Sequence, residues 1–205
     1  MNKIIILVAD TGGGKDFVLS QIQKYDGIEI VKRYTNRSPR IGEEESTLST
    51  IFNTPVSIIK KLTYNYEGVE EGNFYGVSAD DLTAALKRGK SPVVIFPNYD
   101  SYVRMCMDFD NLVVPIFIYR GIEETYLGAW RESLIKRGSS EEEIERRESK
   151  RSFYFEELYV KHTCEFSENV ILNLFGLTTP EDICMQFTGI TLKNDIDLYS
   201  PKRKL

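Results

Sequence analysis

The sequence predicts an α/β fold: a parallel sheet flanked by helices on both faces. Three observations carry this. The chain opens with an unbroken apolar run, Ile4 to Val8, as a strand buried on both sides requires. Further core-type runs follow at Pro92 to Phe96 and Leu112 to Tyr119, with helical apolar spacing between them; strands alternating with helices build a parallel sheet. From about Thr35 to Arg88 the pattern changes to short alternating segments around glycine turns, which reads as an inserted antiparallel sheet.

Each element has its own justification. The first strand leads into Ala9-Asp10-Thr11-Gly12-Gly13-Gly14-Lys15-Asp16, and Phe17, Val18, Leu19 and Ile22 then carry a helix that ends near Lys24, before Gly27. Ile28 to Val31 is a second strand. Arg33 to Glu45 is dense in charge, holds Pro39 and Gly42 and shows no amphipathic period, so it reads as a loop. Asn53-Thr54-Pro55 starts a helix with Val56, Ile58, Ile59 and Leu62 as its apolar face. Thr63 to Tyr66 and Asn73 to Val77 are strands. Ser78 caps a helix to Arg88, with Asp80 and Asp81 in its first turn and Gly89 past its end.

The third core strand is followed by a helix over Tyr99 to Met107, and the fourth, Leu112 to Tyr119, holds Pro115 awkwardly in its middle. A helix runs from about Glu123 to Lys136 and closes at Gly138. Ser139 or Ser140 caps the next, from Glu141 toward Tyr159. Asn169 to Leu172 is the last strand, and Thr179-Pro180 starts a final helix to Phe187; after Gly189 no element is legible.

Composition bounds the function. The chain has 205 residues and a net charge of −5, with no basic stretch except Pro201-Lys202-Arg203-Lys204-Leu205, which argues against a nucleic-acid partner. A local basic pocket for a polyanionic small ligand remains open. Cys106, Cys164 and Cys184 are scattered without ligand-like spacing, which suggests a reducing compartment, and His162 is the only histidine, so no multi-histidine metal site can form. No signal-peptide pattern or membrane-spanning apolar run is present, so a cytoplasmic protein without a membrane partner is expected.

The residues with chemistry begin at the glycine run. Strand, glycine-rich turn, lysine and helix make a phosphate cradle: backbone N–H groups point inward, the helix N-terminus adds its positive end, and the lysine adds a mobile charge. The spacing nearly fits the P-loop pattern, with Ala9 in place of its first glycine and Asp16 in place of its magnesium-binding hydroxyl. Asp10, Thr11, Gly12, Gly13, Gly14, Lys15 and Asp16 are the candidate nucleotide-binding residues. A second cluster, Tyr34-Thr35-Asn36-Arg37-Ser38-Pro39-Arg40-Ile41-Gly42-Glu43, holds two arginines on a proline-stiffened turn, a low-entropy way to present two phosphate-binding forks.

Arg37 to Glu43 resembles the R-x-P-R-x-G-E signature of guanylate kinases. Gly72-Asn73-Phe74-Tyr75-Gly76 looks like that family's G-N-Y-Y-G. Lys136-Arg137-Gly138, the acidic stretch after it, and Arg146-Arg147 resemble its lid, and Val170-Ile171-Leu172-Asn173 its last strand. The motifs agree in order from residue 1 to about 187. The resemblance implies a P-loop kinase fold: a core over 1–33 and 89–187, a small α+β substrate-binding insertion over 34–88, a helical lid over about 130–155, and a tail over 188–205. It implies that Lys15 contacts the phosphates of ATP, that Arg37, Arg40 and Tyr75 bind the phosphate of an acceptor nucleotide with Glu43 close by, and that Arg137 and Arg147 stabilise the transferring phosphoryl group. ATP and Mg2+ are the implied cofactors, and small-molecule nucleotides the implied partners.

The departures from the family fall on base recognition. The third strand ends Phe96-Pro97-Asn98 without the family's acids, Val77 replaces a serine, and Ser49 and Thr50 are the nearest hydroxyls where a tyrosine is expected. Glu67 is the candidate to read a guanine edge, with Tyr66 competing for the position. Asp16 is the candidate magnesium ligand, since a carboxylate is a hard oxygen donor. The expected activity is ATP-dependent phosphoryl transfer to a nucleoside or deoxynucleoside monophosphate, with GMP or dGMP implied by the family and base choice altered. The alternatives are a kinase of another small phosphate ester, such as a phosphorylated sugar, and a guanylate-kinase-like binding module that has lost catalysis.

Overall fold

The computed structural model describes residues 2–9, 13–39, 43, 46–68, 72–95, 98–119, 124–136, 138–154, 169–174 and 177–199. Strands β1 (Ile4–Ala9), β2 (Ile28–Ile30), β7 (Ser91–Ile95), β8 (Val113–Tyr119) and β9 (Val170–Leu172) form a five-stranded sheet in the order β2-β7-β1-β8-β9, with every pairing parallel. A second, four-stranded sheet has the order β4-β3-β6-β5, from β3 (Arg33–Thr35), β4 (Thr50–Ile51), β5 (Tyr64–Glu67) and β6 (Phe74–Val77).

The apolar run of β1 is central, and both of its faces are buried. Ile5, Leu7 and Ala9 pack with Val18, Leu19 and Ile22 of α1 (Lys15–Ile22) and with Ile183, Phe187 and Ile190 of α7 (Pro180–Lys193). Ile4, Ile6 and Val8 pack with Leu82 and Ala85 of α3 (Ala79–Lys87) and Met105 of α4 (Tyr99–Phe109). Tyr64 and Val77 of the second sheet join that same cluster, so the inserted sheet is anchored to the core. A separate small core, Trp130, Leu134 and Ile144, holds α5 (Glu124–Lys136) against α6 (Glu141–Tyr154).

Local signals act as their chemistry dictates. Ser78 accepts a hydrogen bond from Asp81 N–H at the start of α3, and Thr179 with Asp182 forms a reciprocal capping box at the start of α7. Pro115 costs β8 no ladder bond. The N–H of Phe117 donates to Asn169, so the same edge of β8 at Pro115 faces the side where β9 has not yet begun, and the Asn169 side chain donates to Pro115 O instead.

Some sequence expectations are corrected. The charged segment after Val31 is not all loop: Arg33–Thr35 is a strand, because β4 and β6 supply partners on either side of it. Helix α2 (Val56–Ile59) is a single turn that buries Ile59 but leaves Ile58 half exposed. The final helix does not end near Phe187; it runs through Gly189 to Lys193, and Ile196 and Leu198 beyond it are buried in the core. Leu198 O accepts from Gly27 N–H at 2.7 Å, and a Cβ on Gly27 would lie 2.2 Å from Asp197 O. Residues 188–199 therefore complete the core rather than form a tail.

Among the described residues no helix is long and apolar enough to cross a membrane.

Candidate functional site

The glycine loop leaves the C-terminal end of β1, and Gly14 forms its exit into α1. Gly14 sits at φ +79°, where side-chain-bearing residues are strained, and a Cβ there would lie 2.1 Å from Asn173 Nδ2. That amide has a purpose: Asn173 Nδ2 donates to Gly13 O at 3.1 Å, and Asn173 N–H donates to Tyr119 O. The end of β9 thus clamps the loop against the end of β8. Lys15 opens α1 and turns back across the loop, its Nζ donating to Ala9 O at 3.3 Å. Asp10, Thr11 and Gly12 lie outside the described residues, as do Arg40 and Arg137.

Asp16, in the first turn of α1, does not stand alone. Ser49 Oγ donates to Asp16 Oδ1 at 3.1 Å, which ties the phosphate-loop helix to the second sheet. From Ser49 a chain of contacts continues inward. Its hydroxyl lies 3.3 Å from Thr50 Oγ1, which accepts from Arg33 Nε at 3.1 Å. The Arg33 guanidinium lies over the Tyr75 ring, 5.0 Å from its centroid, and Tyr75 stacks on Tyr66 with centroids 5.3 Å apart. Ser49 and Thr50 are buried, so these hydrogen bonds form where water does not compete.

Register explains which side chains meet. Residues paired across neighbouring strands share a face, and successive residues alternate. Arg33 pairs with Thr50, Thr35 with Tyr75, and Tyr75 with Tyr66. All five therefore stand on one face, and Val77 and Tyr64 continue it into the core. Glu67 pairs with Phe74 on the opposite face, where its Oε1 accepts from Gly72 N–H at 2.8 Å. The structure does not bring Glu67 to Tyr75; Tyr66 holds that place. Asn36 fixes the same turn, donating to Gly72 O and accepting from Phe74 N–H.

The described arginines expected at phosphates are ion-paired. Arg37 Nη2 lies 2.9 Å from Glu43 Oε2, its Nη1 donates to Ser38 O, and its guanidinium covers the Phe52 ring at 4.7 Å. Arg147 pairs with Glu143 one turn earlier on α6, its Nε donating at 3.1 Å. Both pairs are half-buried. A phosphate dianion offers stronger charge-assisted bonds than a carboxylate, so both arginines can exchange partners.

No group of three or more His, Cys, Asp or Glu side chains able to hold a metal occurs among the described residues. The described residues therefore offer no protein cage for a cation. A magnesium ion needs none: it keeps waters and takes one or two carboxylates plus phosphate oxygens. Among the described residues, Asp16, with one oxygen engaged by Ser49, is a carboxylate in the first turn after the loop and suits such an ion.

Sequence reasoning missed Arg33, which it placed at the edge of a loop, and Asn173, which it read only as the end of a strand. It named Ser49 without a partner. For Arg33 the available signal was alternation: Arg33, Tyr34 and Thr35 lead into the arginine turn with strand spacing.

A five-stranded parallel sheet between helices, with a second small sheet beside it, is a guanylate-kinase-like α/β fold. Among solved structures, the guanylate kinase from Anaplasma phagocytophilum is similar over 94% of this chain and 86% of its own, with a TM-score of 0.61 and 18% sequence identity. No protein-family model matches the chain, and no curated protein matches it. At that identity the likeness is one of fold.

Proposed function

We propose that the chain is an ATP-dependent phosphotransferase that moves the γ-phosphoryl group of ATP to the phosphate of a small acceptor, a nucleoside or deoxynucleoside monophosphate. One observation carries the proposal: the continuous contact path from Asp16 through Ser49, Thr50 and Arg33 to Tyr75. It joins a donor-type phosphate loop to a cationic, hydroxyl-bearing face. A protein that only bound ATP would need one of these stations, not both in register.

The division of labour follows from the residues. Backbone N–H groups at the Gly14–Lys15 helix start and the Lys15 ammonium receive the donor phosphates. Arg37, Arg40 and Tyr75 hold the acceptor phosphate, with Glu43 keeping Arg37 oriented while the site is empty. Arg137 and Arg147 neutralise charge on the transferring group, which carries most of the catalysis in phosphoryl transfer. Asp16 would hold Mg2+, which supplies charge neutralisation between the phosphates. A cytoplasmic location agrees with this use of ATP.

A second reading has its own observation. Asp16 puts a carboxylate beside the phosphate loop, and Arg37 and Arg147 already have acidic partners. Both facts also suit a kinase-shaped binding module. A kinase of another phosphate ester, such as a phosphorylated sugar, uses the same machinery. Initial rates decide among these. ATP turnover should require both Mg2+ and an acceptor, and Lys15→Ala should abolish it. ATP binding without turnover on any acceptor would establish the binding module.

A further inference from the structure

The two hydroxyls between Arg33 and Asp16 can donate in one direction only. A carboxylate accepts, so the single Ser49 proton goes to Asp16 Oδ1. The 3.3 Å contact between Ser49 Oγ and Thr50 Oγ1 is then made by the Thr50 proton. Thr50 Oγ1 in turn accepts from Arg33 Nε–H at 3.1 Å. The chain runs from a cation to an anion, guanidinium to threonine to serine to carboxylate, and each hydroxyl donates once and accepts once. Ser49 and Thr50 are 2% and 3% exposed, so both protons are committed where water does not compete. The backbone holds the same residues: Arg33 N–H donates to Ser49 O at 2.9 Å, and Arg33 pairs with Thr50 in register. Asp16 itself is exposed in the first turn of α1. An exposed carboxylate left to itself samples several rotamers. A buried donor on Oδ1 selects one of them and leaves Oδ2 to a ligand.

Resting on the reading of this loop as the ATP site of a phosphotransferase, with Asp16 toward Mg2+, we propose that Ser49 and Thr50 are positioning residues for the Asp16 carboxylate. Ser49 fixes its orientation. Thr50 occupies the acceptor side of the Ser49 hydroxyl, keeps the serine proton on Asp16 and passes on the polarisation of the Arg33 guanidinium. Both act through Asp16 rather than on the nucleotide. An orientation already set lowers the ordering cost of binding, so the benefit falls on the metal-dependent part of nucleotide binding. Thr50 belongs to β4, so the carboxylate beside the donor loop is aimed by the second sheet.

Calorimetric titration with a non-hydrolysable ATP analogue, with and without Mg2+, tests this apart from turnover. Mn2+ affinity of the analogue-bound protein, read by electron paramagnetic resonance, supplies a second readout. Wild type, Ser49→Ala, Thr50→Val and Thr50→Ser are compared, with thermal melts to confirm folding. Ser49→Ala should weaken Mn2+ by about tenfold and leave metal-free binding of the analogue unchanged. Thr50→Val, which removes a hydroxyl that does not touch Asp16, should weaken Mn2+ by about threefold, and Thr50→Ser should restore it. In an Asp16→Ala background Ser49→Ala should cost nothing further, because the group it acts through is gone. Wild-type Mn2+ affinity in Ser49→Ala, equal losses with and without metal, a Thr50→Val loss that Thr50→Ser shares, or a further loss in the Asp16→Ala background would overturn the proposal and leave phosphotransfer standing. A wild type that binds no ATP analogue would overturn the phosphotransferase reading and the proposal with it.

Discussion

Replacing Gly14 by alanine tests the loop architecture most sharply, because two separable penalties meet at one atom. The new Cβ is held at φ +79°, which costs an L-residue about 1 kcal/mol. It also falls 2.1 Å from Asn173 Nδ2, so the amide must leave. Leaving breaks the bond to Gly13 O and costs about another 1 kcal/mol. Gly14→Ala should therefore destabilise by about 2 kcal/mol, and Asn173→Ala alone by about 1 kcal/mol. In the double variant the amide is already gone, so the total should remain near 2 kcal/mol rather than the additive ~3 kcal/mol. Urea unfolding of the four proteins, with matched slopes, supplies the cycle. ATP affinity should fall in both single variants. Additive losses, or a Gly14→Ala protein within about 0.5 kcal/mol of wild type, would refute the clamp.

Other consequences follow from the same geometry. Asp16→Asn keeps an oxygen for Ser49 but loses the charge, so Mg2+-dependent ATP binding should weaken by about tenfold or more while Mg2+-independent binding does not; unchanged metal dependence in calorimetry would remove Asp16 as the ligand. Arg147→Ala should lower kcat by about a hundredfold with little change in acceptor KM and little loss of stability, since its pair with Glu143 is an ordinary i,i+4 pair. Tyr64 is buried and donates to Asp108 Oδ2 at 2.7 Å; burial first, then this bond and the Asp108 charge, raise its phenol above the ordinary range. The folded state thus holds the Tyr64 proton more tightly than the unfolded chain. Its contribution is complete below about pH 10 and is lost as pH climbs above it. Tyr64→Phe should cost about 1 kcal/mol at neutral pH and flatten the alkaline limb of a pH–stability curve.

What the sequence made legible was local. The apolar run of β1, the glycine turn with Lys15, the Ser78 and Thr179 caps, and the antiparallel pair around Gly72 all declare themselves within a few residues. What it hid depends on distant partners. Arg33–Thr35 is too short and charged to look like a strand, and becomes one only between β4 and β6. Glu67 and Tyr66 are adjacent in sequence, so only register shows that Tyr66 faces Tyr75 and Glu67 turns away. Gly189 looks like a helix end, yet Ile190, Ile196 and Leu198 bury enough apolar surface to carry the chain past it; a mid-helix glycine costs only about 1 kcal/mol. The clamp on the glycine loop links positions 160 residues apart, and no local pattern foretells it.

Phosphotransfer itself is open to one direct observation. Wild-type protein is mixed with ATP, Mg2+ and each nucleoside monophosphate in turn, and phosphorus NMR follows the acceptor. The proposal requires a new diphosphate product that grows in step with ADP for at least one acceptor and is absent with Lys15→Ala. ATP bound but no diphosphate formed from any nucleotide or sugar phosphate would contradict it.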